Sequence, residues 1–473
     1  DVFVWGTHRG TQSHHRGTTF LARRSGDAVI VPATISVEMN IDGVGDVFVW
    51  GSNDNGVLGL ITNARQRKRP FPVALLDSTI DSGYHRLLPK CSQIATKGLH
   101  SVAVTPDGVL HTWGVGDEGQ LARPISPDHE EDHPGRPAPV TMPKGAGPVV
   151  RVAASDGASF AVDENGNVYA AGVFKDDSEL GLVPANPGAR VWQMTPLSLP
   201  KSNTRVTEIS AGNAHCVMLA EVGAASGKQT TRHEVYTVGT GGRGQLGRIG
   251  ERVGARGGAD TKTQLTPGLV RMPRGAGAPV AVFAGGWHTF VLTETDQVYG
   301  FGLNNWGQLG LPVSYGPCVY KPTLIAALSG NGIVQLACGE HHTLALTKEG
   351  YVLSFGRYVY GRLGRVAGVE LHQGDTACPT PMQVMIGNNS GTKIVTVAAG
   401  VAQSAAVDEN GKLFVWGSGD GYMLGRGNDE DDAETPVAVL STDAYTHWDP
   451  ETMKVTQVAM GGMHCVALAK PGY

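Results

Sequence analysis

The residues best suited to chemistry in this chain are histidines and acids set in short glycine turns. A Gly-x-His-type turn recurs at His100, His215, His288 and His464, and Gly339-Glu340-His341-His342 carries a doublet. Histidine at such a turn could move a proton or bind a metal. Yet a residue that recurs with a repeat is equally suited to capping strands inside the fold. No hydrolytic triad and no metal-ligand spacing accompanies these turns. His8, His14 and His15 do not make a metal site either. Six cysteines stand far apart, at 91, 216, 318, 338, 378 and 465, with no Cys-x-x-Cys pair, so free thiols are expected. Two charged stretches complete the inventory. Lys175-Asp176-Asp177-Ser178-Glu179 is a charged insertion, and Arg65-Gln66-Arg67-Lys68-Arg69 is a basic run. The basic run has the composition of a phosphate contact or an import signal, and equally of a solvated loop.

The elements that must position these residues follow from an internal repeat. Glycine supplies 66 of 473 residues while hydrophobic residues hold at 41 %, so the glycine marks tight turns and not disorder. Seven times a short strand ends in glycine, followed by a loop and Leu-Gly. Gly51 to Gly59 and Gly239 to Gly247 are clear copies. Ala122 replaces the last glycine in the second copy, and the third, Gly172 to Gly181, holds the charged insertion. Apolar strands joined by Asp107-Gly108 or Asn410-Gly411 precede the glycine, as tight hairpins require. A proline-led strand such as Pro72-Val73-Ala74-Leu75 or Pro436-Val437-Ala438-Val439 follows.

Four strands in each of seven units predict an all-β, seven-bladed propeller occupying residues 46–473. The last unit, Val455 to Leu468, lacks a Leu-Gly copy, and the first lacks its leading strands. The C-terminal hairpin is therefore expected to complete the first blade and hide both edges. Residues 1–45 read as an atypical extension or partial repeat, because Asp1 to Gly6 duplicates Asp46 to Gly51. The start lacks the basic and apolar regions of a signal peptide. No stretch reaches the roughly 18 apolar residues of a membrane span. A net charge of −5 argues against a general nucleic-acid-binding surface.

The repeat unit resembles that of the regulator of chromosome condensation family over roughly residues 46 to 470. More specific stretches share the resemblance: Val298 to Trp306, Ser354 to Arg357 with Tyr360 to Gly364, Gly427 to Asp431 with Thr435-Pro436-Val437, and Arg256-Gly257-Gly258 after Arg248. The resemblance implies guanine-nucleotide exchange on the GTPase Ran, without covalent chemistry and without a cofactor or metal. It implies Asp156 and His341 as the residues tied to exchange. Asp54, Lys175, Asp176, Asp177, Arg248, Asn305 and His464 would meet Ran, with the charged third-blade loop acting as a wedge. Arg256 would meet chromatin, with histones, the nucleosome or DNA as further partners and a nuclear, chromatin-associated location. Departures stand at Ala214, Gly307, Ala158 and Ala259, where the family carries other residues. The alternative is a non-catalytic interaction platform of the same fold. A third option, the plant ultraviolet-B photoreceptor, needs tryptophans clustered on one face. Only Gly286-Trp287-His288 resembles its turns, and Trp50, Trp113 and Trp416 lie in strands.

Overall fold

The computed structural model describes residues 43–60, 64–75, 86–126, 133–175, 179–223, 232–250, 261–365, 376–387, 392–440, 448–449 and 451–472. The expectation for residues 1–45 lies almost wholly outside the described residues. Of that stretch, Gly45 exchanges two backbone hydrogen bonds with Cys91, at 3.0 and 2.9 Å.

Seven four-stranded antiparallel sheets form the blades. Blade 1 holds Met453–Met460, His464–Pro471, Asp46–Ser52 and Gln66–Pro72, in that order outward. The C-terminal hairpin thus supplies its two inner strands, as expected. Blades 2 to 7 run in simple sequence, with inner strands Gln93–Lys97, Val149–Ala154, Thr204–Ala211, Pro279–Ala284, Ile333–Cys338 and Ile394–Ala399. Each inner strand touches the inner strand of the next blade, and Met453–Met460 touches Gln93–Lys97, so the ring closes.

Side-chain amides stitch the inner ring. Gln457 gives and takes a hydrogen bond with the backbone of Ile94, both at 3.1 Å. Gln335 does the same with Val397, and Gln93 accepts from Val152 N–H at 3.0 Å. Glu208 occupies the equivalent place in blade 4 and accepts from Val282 N–H, next to the charge of Arg151.

The repeat's two glycines now have reasons. The first ends the third strand opposite the start of the second, as Gly114 lies across from His100. Gly114 has φ +108, and a Cβ there would stand 2.5 Å from Leu99 O. The Leu-Gly glycine makes room for a neighbouring aromatic: a Cβ on Gly364 would stand 2.6 Å from the indole nitrogen of Trp416 in blade 7. Trp50, Trp113 and Trp416 are wholly buried at these seams.

Two local expectations are corrected. Pro72 ends the outer strand of blade 1 instead of leading one, and Ala74–Leu75 pairs with Arg86–Leu87 in a small separate sheet. The basic run is not a solvated loop. It forms the outer strand Gln66–Pro72. There Lys68 Nζ donates to Asn428 Oδ1 at 3.0 Å, Arg69 donates to Leu440 O at 2.8 Å, and Arg67 stacks on Phe71. Rim strands cover little core, so charge is tolerated there.

Candidate functional site

The register brings all the turns of interest to one end of the propeller. In every blade the turn from first to second strand lies beside the loop after the third. Gly51 faces His464, Gly172 faces Ala158 and Gly356 faces His342. Seven first turns therefore ring one mouth of the channel, while the third-strand loops form a wider circle on the same face.

The histidines divide by place. In blades 1, 2, 4, 5 and 6 the histidine opening the second strand is wholly buried and reaches the next blade; Ala158 and Gln403 stand there in blades 3 and 7. His100 lies 2.9 Å from Ser159 Oγ, His215 2.9 Å from Thr289 Oγ1, His288 3.1 Å from Thr343 Oγ1, and His342 2.8 Å from Ser404 Oγ. The hydroxyls donate onward to carbonyls, as Ser404 does to Arg362 O at 2.9 Å. The hydroxyl proton is thus committed, and the imidazole must donate from Nε2. Burial pushes His100 and His215 down to about 3 and His464 to about 4, so all are neutral. The capping expectation holds for this set. His464 belongs to it, and a wholly buried ring is not presented to a partner.

His341 is different. It lies in the turn itself, its side chain 20 % exposed, with Nε2 3.9 Å from Glu340 Oε1. Burial lowers its pKa; Glu340 opposes this, and Arg357, Arg362 and Arg243 add to it.

A cavity of about 210 Å³ opens at the mouth, lined among others by Lys97, Asp156, Asn213, Glu340 and Met463. Asp156 N–H donates to Asn213 O at 3.0 Å, and Asn213 N–H to Gly286 O at 3.0 Å, so adjacent turns hold one another. Asp156 is exposed in the lining of this well, with protein close around it. This confinement, with Glu340, pushes its carboxyl up to about 6, while Lys97 pulls it down. The same confinement lowers Lys97, opposed by Asp156 and Glu340. Lys97 and Glu340 were missed by sequence reasoning, although Glu340 sits in one of the turns that were singled out and Lys97 borders another.

On the wider circle, Asp54 is exposed in a short turn, its N–H donating to Ser52 Oγ at 3.2 Å. Asn305 is exposed, its Oδ1 accepting from Gln308 at 2.9 Å. In blade 3 a separate hairpin, Phe174–Lys175 with Glu179–Gly181, replaces the usual loop. Phe174 roots it by stacking on Phe160 at 5.8 Å. Lys175 Nζ meets Glu118 Oε1 at 2.9 Å, and Arg190 holds the other oxygen at 2.5 Å. Asp176 and Asp177 lie outside the described residues, as does Arg256.

Arg248 is turned inward. It donates to Thr237 Oγ1 and to the carbonyls of Thr237, Thr263 and Thr266, all at 3.0–3.1 Å. It fastens the fourth-blade loop and is not part of the exposed face. Among the described residues no cluster of three metal-ligating side chains occurs, and no helix is long and apolar enough to cross a membrane. The face thus presents two acids, a lysine and an amide around a small well, with a rooted hairpin on the wider circle.

The model of the RCC1-like domain matches residues 46–467. The regulator of chromosome condensation of Homo sapiens is 31 % identical over 458 residues, covering 95 % of this chain and 97 % of that protein. The guanine nucleotide exchange factor SRM1 of Saccharomyces cerevisiae is 28 % identical, covering 89 % of this chain and 86 % of its own. The crystal structure of Prp20p from Saccharomyces cerevisiae, described with that protein's binding properties to Gsp1p and histones, superposes with a TM-score of 0.72 at 27 % identity, covering 90 % of this chain and 92 % of that one. Fold, repeat and full-length similarity agree: this chain belongs to the family of the RCC1-like domain, with the regulators of chromosome condensation.

Proposed function

We propose that this protein is a guanine-nucleotide exchange factor for Ran, working from chromatin in the nucleus. The observation that carries the reading is the gathering of Asp156, His341, Asp54, Asn305 and the Lys175 hairpin on one end of the propeller. A GTPase holds its nucleotide through a phosphate loop and Mg²⁺. A surface that binds the nucleotide-free form more tightly weakens nucleotide binding by the same factor. No nucleophile or proton transfer is required of the exchange factor.

Each group then has a task. The third-blade hairpin, braced by Glu118, is the wedge that presses on the GTPase. Asp156 and His341 fix the GTPase over the channel mouth, with Lys97 and Glu340 setting the local charge. Histones are the chromatin partner, with Arg256 as the contact. Support comes from relatives described as an exchange factor and as binding Gsp1p and histones.

Two positions at which this chain departs from the family are closely packed. A Cβ on Gly307 would stand 2.5 Å from Pro379 Cβ, so no side chain fits. Ala214 is wholly buried. Binding on this face therefore leans on the residues that remain.

The test is release of fluorescent GDP from Ran, followed with and without the protein. Acceleration that falls in Asp156→Asn and His341→Ala supports the reading. No acceleration by the wild-type chain overturns it and leaves the interaction platform in its place.

A further inference from the structure

We infer that the blade 4 to 6 sector of this face is a docking site for an acidic protein segment. It rests on the exchange reading only for the partner's identity, not for its chemistry. Arg243, in the loop after the third strand of blade 4, lies 4.0 Å from the ring centre of Trp287 in the blade 5 turn. Arg357, ending the third strand of blade 6, lies 4.8 Å from Trp306 of blade 5. Arg362 lies 5.6 Å from Tyr360. Each of the first two pairs bridges neighbouring blades.

A guanidinium flat on an aromatic face is held in place while its edge N–H groups can meet a planar anion. Arg243 and Arg357 are partly exposed and offer this, whereas Arg362 is buried, donates to Val359 O at 3.0 Å and Val401 O at 3.3 Å, and adds only its charge. Among the described residues no carboxylate forms an ion pair with Arg243, Arg357 or Arg362. Acids do approach the sector: Glu340 and Asp432 both bear on Arg362. All three arginines also bear on His341, Arg243 from blade 4 and Arg357 and Arg362 from one stretch of blade 6. Positive charge therefore outweighs negative there. Tyr360 is 55 % exposed at φ +57, a strained backbone for an aromatic residue, which displays its ring beside Arg362.

The opposite sector decides the class of ligand. Asp54, Asp117, Asp420, Glu430 and Asp431 are exposed on the loops of blades 1, 2 and 7, on the same face. A polyanion lying across the face would meet this acid, and the whole chain carries −5. A folded protein with separate acidic and basic patches fits both sectors. The divided charge would also set the rotational orientation of the partner before contact.

The experiment uses the full chain, labelled hexaglutamate, a labelled single-stranded oligonucleotide, and Ran. The variants are Arg243→Gln with Arg357→Gln, and Arg243→Glu alone should the double variant fold poorly by circular dichroism. Saturable hexaglutamate binding that weakens at least tenfold in the variant, and weakens with salt in the wild type, supports the site. Wild-type exchange on Ran with a tenfold slower association in the variant supports it on the natural partner. Absence of hexaglutamate binding, equal binding by variant and wild type, or tighter binding of the oligonucleotide overturns it. If exchange fails while hexaglutamate still binds through these arginines, the Ran reading falls and the acidic-segment site stands.

Discussion

His464 Nε2 lies 2.7 Å from Ser101 Oγ, joining blade 1 to blade 2 between residues 363 positions apart. Thr96 Oγ1 takes the same ring nitrogen at 2.8 Å and passes its own proton to His100 O. This is the seam where the array closes, and it uses the same histidine-to-hydroxyl contact as four other seams.

Removing a hydroxyl from such a seam leaves a buried imidazole N–H without an acceptor. Ser404→Ala, which strands His342, is expected to cost about 1–3 kcal/mol. Ser101→Ala should cost less, because Thr96 remains as an acceptor. Denaturant midpoints of the two variants check the order.

Acid should loosen the seams together. His100, His215 and His464 have folded pKa values of about 3, 3 and 4, below the ordinary 6.5. Their stabilisation is fully present above pH 6.5 and is lost as pH falls toward 4 and 3. Tm measured from pH 7 to pH 4 should decline, and His464→Gln should shallow that decline. Glutamine is already the residue at this position in blade 7, as Gln403.

Glu208 gives the opposite sign. Burial pushes its carboxyl up to about 8 against the pull of Arg151, from an ordinary 4.5. The folded state holds a proton that the unfolded state has released, so stability is lost as pH rises through 8. Glu208→Gln should leave Tm unchanged at pH 5 and raise it at pH 9. Gln93, Gln335 and Gln457 already fill this place in other blades.

Exchange should carry the signature of Asp156. With its carboxyl near 6, the charged form fades as pH falls below that value. Wild-type exchange at pH 5.5 should be slower than at pH 7.5 by more than Asp156→Asn shows over the same range. At pH 7.5 the variant should lose about 10- to 100-fold in exchange, the size of a charged hydrogen bond.

Arg248→Ala should separate folding from recognition. The guanidinium serves one hydroxyl and three carbonyls. Its loss should lower stability by about 1–3 kcal/mol, while the folded fraction exchanges nucleotide at the wild-type rate. Calorimetry beside the GDP-release assay reads both.

Blades were legible in the sequence because stacked sheets demand the same solution seven times. Glycine at Gly114 or Gly364 leaves no alternative residue, and such constraints print a period. Rim strands bury little and print none, which is why Arg65 to Arg69 did not read as a strand. The site was half legible. Asp156 and His341 were marked by the family resemblance, and their turns lie on one end of the propeller. His464 and Arg248 have equally suggestive side chains, but whether a histidine faces the seam or the mouth depends on a shift of one position, as His341 and His342 show. Lys97 and Glu340 gain their meaning only from the closed ring, which places turns of blades 2 and 6 around one well.

The clasp in blade 1 also imposes an order on synthesis. The strand Asp46–Ser52 is made early, yet its partner His464–Pro471 emerges roughly 400 residues later. At about 5–20 residues per second that is a wait on the order of 20–80 s. Through that time Phe48 and Trp50, both buried in the finished ring, have no inner strand to pair with. Newborn chains must be sheltered at this one strand until the last hairpin arrives.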